Sequence, residues 1–157
     1  MSLLPLFEWC EGLAVGEVIR NSLWLFPVIE AFHLVGLGIM GGAVLLVDLR
    51  LLGLGLKDRS VAQLSKDAQP WMLGSLMMML ASGIPLFLSE AIKCYYSTAF
   101  WVKMASLLLV IVFTFTVRRR AAREATLAPV LEGKIAALVS LALWAGVGWG
   151  GRWIGFS

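Results

Sequence analysis

Charge is scarce in this chain of 157 residues: Lys, Arg, Asp and Glu make up 15% of it, against 60% hydrophobic residues and a mean hydropathy of +0.87. A soluble domain carries roughly a quarter charged residues, so the composition excludes an ordinary soluble fold and indicates a membrane protein. There is one histidine, His33, and there are two cysteines, Cys10 and Cys94. No CxxC metal spacing is present. Catalysis by a serine or cysteine nucleophile has little support, because Ser89 and Ser97 have only the deep His33 to serve as base. No repeat, low-complexity tract or phosphate-cradling glycine pattern occurs, nor do the alternating ten-residue segments of a membrane barrel. The N-terminus lacks the charged start, short apolar core and small-residue cleavage site of a secretory signal, so Met1 to Asn21 is expected to stay.

What the chain has in abundance is long apolar runs. About 20 apolar residues cross a hydrocarbon core of about 30 Å as a helix. Four stretches qualify: Leu23 to Val47, Trp71 to Ser89, Ala99 to Val117 and Ile135 to Phe156. These predict transmembrane helices over about 23–52, 71–92, 99–117 and 135–156, and a single integral membrane domain over 1–157. In Met1 to Asn21, Leu3, Leu4, Phe7, Leu13, Val15, Val18 and Ile19 alternate with Glu8, Glu11, Glu17 and Arg20, which predicts an amphipathic helix in the interface. Trp9 and Trp24 suit headgroup depth. The expected class is therefore an all-α polytopic membrane four-helix bundle with an N-terminal interfacial helix.

Orientation follows from basic residues. Arg50, Lys57, Arg59 and Lys66 lie in one loop, and Arg118, Arg119, Arg120, Arg123 and Lys134 in another on the same side. The opposite side holds Arg20, Lys93, Lys103 and Arg152. Nine against four places the loops in the cytoplasm and both termini outside, which in a bacterial inner membrane is the periplasm. The net charge of +3 is explained by this topology and implies no nucleic-acid partner. Cys10 and Cys94 fall on the periplasmic side, where a disulfide is permitted but not required.

Polar residues inside the spans are costly and normally turn inward to partners. At 100° per residue, Glu30, His33, Leu37, Met40, Gly41, Val44 and Asp48 share one stripe of the first crossing. Met72, Met79, Gly83, Leu86 and Glu90 share another on the second, and Lys103, Ser106, Val110 and Thr114 one on the third. Glu30, His33, Glu90, Lys93, Lys103 and Arg152 thus converge in the periplasmic half. A purely structural reading pairs Glu30 with Lys103 or Arg152 and Glu90 with Lys93, and bonds His33 to a serine or carbonyl.

A haem b reading makes His33 the axial ligand. Gly36 and Gly41 then leave room for the macrocycle, Glu30 fixes the imidazole, and Lys93, Lys103 or Arg152 balance propionates. Met40, Met79, the His33 of a second copy, or nothing supplies the sixth ligand. A metal reading takes copper, iron or zinc on Glu30-x-x-His33 with Glu90, or Cu(I) on the thioethers of "MLGSLMMML". A transport reading runs protons through the cluster, although the cytoplasmic half offers little beyond Asp48, Ser75 and Thr114. Besides membrane lipid, the partners expected are a periplasmic or quinone redox partner, and a second copy docked through Gly38 and Gly42 or through Ala142, Gly146 and Gly150.

The blocks "SLWLFPVIEAFHLVGLGIMGGAVLLVDLRLLGLGL", "AFWVKM" and "KIAALVSLALWAGVGWGGRWIGF" resemble a family of small bacterial inner-membrane proteins of unknown function. The resemblance covers most of the chain and implies four helices in a bundle. A fainter similarity, His33 followed by Gly36, links it to the copper-resistance D membrane proteins and to b-type cytochromes. The further histidines of the copper-resistance proteins are missing here.

Overall fold

A computed structural model describes residues 3–55, 58–118 and 130–154. The side chains of Arg118, Val130, Arg152 and Ile154 lie outside this description, as do Lys57, Arg119, Arg120 and Arg123 of the basic loops. Every element among the described residues is helical: α1 (Leu4–Glu11), α2 (Ala14–Asn21), α3 (Leu25–Leu51), α4 (Val61–Ser89), α5 (Ala91–Tyr96), α6 (Thr98–Phe113) and α7 (Val130–Ile154). A π-helical turn, Thr114–Arg118, continues α6. Four segments are long and apolar enough to cross a membrane: Leu25–Leu51, Val61–Ser89, Thr98–Val117 and Leu131–Gly151. The chain is a multi-pass helical membrane protein.

Local sequence sets the helix ends. Pro27 sits in the first turn of α3, where no intrahelical N–H is required. At the other end Gly53 and Gly55 take φ of +81° and +73°, a left-handed conformation that costs glycine little, and the chain turns back. Ser60 caps α4 by accepting from the Gln63 N–H at 3.1 Å, and Ser97 caps α6 by accepting from that of Phe100 at 3.4 Å.

In packing order the spans run α4, α3, α7, α6; the backbones of α4 and α6 stay apart, with the Phe87 and Phe100 rings stacked between them at 5.7 Å and α5 bridging them at one end. That end, where α3 begins and α7 finishes, is the terminal end. The other, with the two loops between spans, is the basic end. Met40, Ala43, Val44, Val47 and Leu51 of α3 meet Leu64, Ala68, Met72 and Met79 of α4 and Ala137 of α7 in one core.

The N-terminal segment departs from the single helix expected over Met1 to Asn21. It breaks at Gly12 and Leu13 into α1 and α2, with Leu13 extended. Phe7 turns inward and packs its ring on Phe87, Tyr95, Phe100 and Trp101, with centroids 5.2 to 6.4 Å apart. Gly16 lies against α4 so closely that a Cβ there would stand 2.8 Å from the carbonyl carbon of Leu88 and closer still to its oxygen. One continuous helix could not place both contacts. The outward faces keep Leu3, Leu6, Trp9, Val15 and Val18 exposed, as an amphipathic pair beside lipid requires.

Candidate functional site

His33 is half-buried on α3, facing α4. Its Nδ1 lies 3.0 Å from the Ser82 Oγ, and the Ser82 hydroxyl donates to the Met78 carbonyl at 2.7 Å. With the Ser82 proton on the nearer Met78 carbonyl, Ser82 accepts from His33 and the ring carries its proton on Nδ1. In the neutral imidazole the lone pair then belongs to Nε2, the tautomer that metal-binding histidines adopt when a second group holds the opposite nitrogen. Gly83 makes the approach possible, since a Cβ there would lie 3.1 Å from the His33 Cε1 and 3.4 Å from Nδ1.

Lys103 of α6 is within electrostatic reach of His33 and of Cys94. Its side chain runs along α7, where a Cβ at Gly150 would be 3.2 Å from the Lys103 Cβ and one at Gly151 would be 3.6 Å from Nζ. No ion pair or hydrogen bond holds this ammonium among the described residues. Lys103 thus lies in the seam of α6 with α7 and His33 in that of α3 with α4, while the Phe87 and Phe100 rings stack between α4 and α6 at 5.7 Å. The roof is α5. Its Cys94 thiol is pushed up from 9.0 to about 11, chiefly by burial and next by the negative charge of Glu90, while Lys103 and Lys93 pull the other way.

The remaining expected site residues divide. Glu90 pairs with Lys93 at 3.8 Å, and His33 bonds a serine, both as the structural reading has it. Glu30 is exposed and makes no ion pair among the described residues, so its pairing with Lys103 is not formed. Gly36 serves helix packing: a Cβ there would meet the Met79 Cγ at 3.0 Å. Met40 and Met79 are core residues one turn and more below His33 on the basic-end side. Gly41 has open space beside it. Arg152 falls outside the described side chains, and no group of three His, Cys, Asp or Glu suited to a metal occurs among the described residues.

Two features escaped the sequence reading. Ser75, Ser82 and Ser89 recur every seven residues on α4 and are all buried, a spacing that could have singled out Ser82. The other is a clasp. Arg20 pairs with Glu11 at 3.2 Å and donates to the Ser89 carbonyl at 2.9 Å, while Glu11 accepts from the Ile92 N–H at 2.6 Å. The two side chains thereby satisfy an orphan carbonyl at the end of α4 and an orphan N–H at the start of α5.

Fold and site together define a helical membrane protein with an imidazole held by a serine and a lysine in the terminal half of the bundle. The chain belongs to a family of unknown function (DUF6644), whose family model matches residues 6–157. Neither a curated protein nor a solved structure matches the chain.

Proposed function

We propose that the protein is an electron-transfer component of a bacterial inner membrane, with both termini in the periplasm, and that it holds haem b at His33. The orientation rests on the excess of basic residues in the two loops. The observation that carries the haem reading is the Ser82 contact at Nδ1, which, with the Ser82 proton on the Met78 carbonyl, leaves Nε2 to a ligand. Lys103 would balance a propionate; the face beside Gly36 offers a flat group no room, because Met79 fills it. Met40 and Met79 are committed to the core, so any protein ligand beyond His33 would have to be the His33 of a second copy. Bound haem would supply one-electron chemistry, passed to or from a quinone or a periplasmic partner; this chain orients the imidazole and supplies a positive charge.

The test is the absorption spectrum of purified protein, oxidised and reduced, after expression with ample haem. A Soret band that disappears in His33→Ala and shifts in Ser82→Ala is expected, and no Soret band in the wild type removes the proposal. The rival metal reading needs at least one equivalent of copper, iron or zinc per chain that His33→Ala loses. An anchor or assembly role would leave His33→Gln without effect on a partner's activity.

A further inference from the structure

At the basic end two contacts set the depth of the charged side chains. The His33 ring meets Ser82 at 3.0 Å, so in the antiparallel pair of α3 and α4 an equal walk, from His33 to Arg50 and from Ser82 to Ser65, brings Arg50 level with Ser65, beside Lys66. The core agrees, since Leu51 and Leu64, the next residue on each side, are buried in it together. A Cβ at Gly133 would be 3.5 Å from the Leu51 Cδ2, so in antiparallel α3 and α7 Lys134 also comes level with Arg50. Three cations from three helices thus share one depth. Trp71 of α4, 65% exposed, lies nearer the middle of the bundle than Ser65 by about 9 Å at about 1.5 Å per residue. With that indole in the interfacial belt, the cations stand at the level of lipid phosphates.

The chain leaves this charge unmet. Lys66 and Lys134 are exposed, Arg50 is half-exposed, and none of the three makes an ion pair among the described residues. Arg50 is also oriented: its Nε donates to the Arg59 carbonyl at 2.8 Å, which anchors the guanidinium and turns its two terminal nitrogens over to an outside acceptor. Arg59 is the contrast, since its Nη1 pairs with Asp67 at 3.4 Å. The other acidic groups of this end, Asp58 in the loop and Glu132 about 3 Å further out than Lys134, are exposed and make no ion pair among the described residues.

Topology by the basic-residue rule needs only a count of charges. It does not require them to be level, unpaired and, at Arg50, anchored on a carbonyl. We propose that Arg50, Lys66 and Lys134 form a collar that selects phospholipids of net negative headgroup, such as phosphatidylglycerol, over zwitterionic ones. An anchored guanidinium offers a fork that matches two phosphate oxygens, and a cation at this depth is worth about fivefold in the partition of an acidic lipid. A zwitterionic headgroup brings its own ammonium and gains less.

The test is electron paramagnetic resonance of the full chain in phosphatidylcholine vesicles with a trace of lipid spin-labelled near the end of its chain, either phosphatidylglycerol or phosphatidylcholine. The motionally restricted shell around the protein is expected to favour phosphatidylglycerol by about fivefold or more, and Arg50→Gln with Lys66→Gln and Lys134→Gln is expected to lose most of that preference. The charge-balanced variant Arg59→Gln with Asp67→Asn is expected to keep it. No preference in the wild type, no fall in the triple variant, or an equal fall in the charge-balanced variant overturns the proposal. Parity restored by sodium phosphate, in place of chloride at equal ionic strength, overturns it in favour of a site for free phosphate. Should the triple variant fail to fold, Lys66→Gln with Lys134→Gln, both at exposed positions, decides the question by the same criteria.

Discussion

A single glycine decides whether the imidazole can reach its serine. At Gly83 an added methyl group would press on the His33 Cε1 from 3.1 Å and on Nδ1 from 3.4 Å, so the ring must give way by a few tenths of an ångström at the atom that meets Ser82. Gly83→Ala is therefore expected to alter any spectrum arising at Nε2 as strongly as Ser82→Ala does. Gly74→Ala on the same helix, where nothing lies within 4 Å, should leave both spectrum and melting temperature unchanged within about 1 kcal/mol. Cys94 permits a separate test by pH. Its thiol is held protonated in the fold, with a pKa raised from 9.0 to about 11, so above the lower value the unfolded chain binds fewer protons than the folded one. Its contribution is complete below pH 9 and declines as pH rises towards 11. Denaturation in detergent across that window should lose on the order of 1–2 kcal/mol that Cys94→Ala does not lose. The ordinary thiol range would be the expectation from sequence, because nothing in the spacing of Cys94 reveals that α1, α4 and α6 bury it.

At the scale of elements, the spans were legible because lipid imposes one demand on every turn of a helix, and hydropathy records it. The inward stripe of α3 was legible for the same reason: Leu37, Met40, Val44 and Asp48 turn in as their spacing predicts. Glu30 does not, since the last turns of the helix reach water and the stripe no longer has to be covered. The N-terminal segment was half legible. Its alternation of Glu and Leu was correctly amphipathic, but the break at Leu13 depends on where α4 and α5 stand, which no local pattern contains. The clasp across that break gives a prediction. Arg20→Ala removes a partly exposed ion pair and a charged hydrogen bond to the Ser89 carbonyl, a loss of about 1–2 kcal/mol after allowance for solvent. Hydrogen exchange should accelerate in residues 4–21 with little change in α3 or α7. Gly16→Ala acts on the same joint by collision with backbone, which cannot yield, and should cost about 3 kcal/mol or more in thermal unfolding.

For the whole molecule, the two small-residue faces that could have served self-association have different fates. Gly146 and Gly150 face α6, against Ser106, Lys103 and the Ala99 carbonyl, so this groove is used within one chain. Gly38 and Gly42 have no neighbour within 4 Å and point away from the core side of α3. In sequence the faces were equivalent, because a four-residue spacing of small side chains states only that a helix can come close and not which one does. Gly38 and Gly42 lie about 140° and 180° round α3 from His33, so a dimer through that face would leave the two His33 rings apart. Gly150→Leu should separate α6 from α7, lower the stability by an amount typical of overpacking, about 1–3 kcal/mol, and displace Lys103. Gly38→Leu with Gly42→Leu should leave the melting temperature of the chain unchanged. If a dimer forms through the small-residue face of α3, light scattering of the purified double variant will show it as a monomer; a dimer that survives both substitutions has formed through another surface.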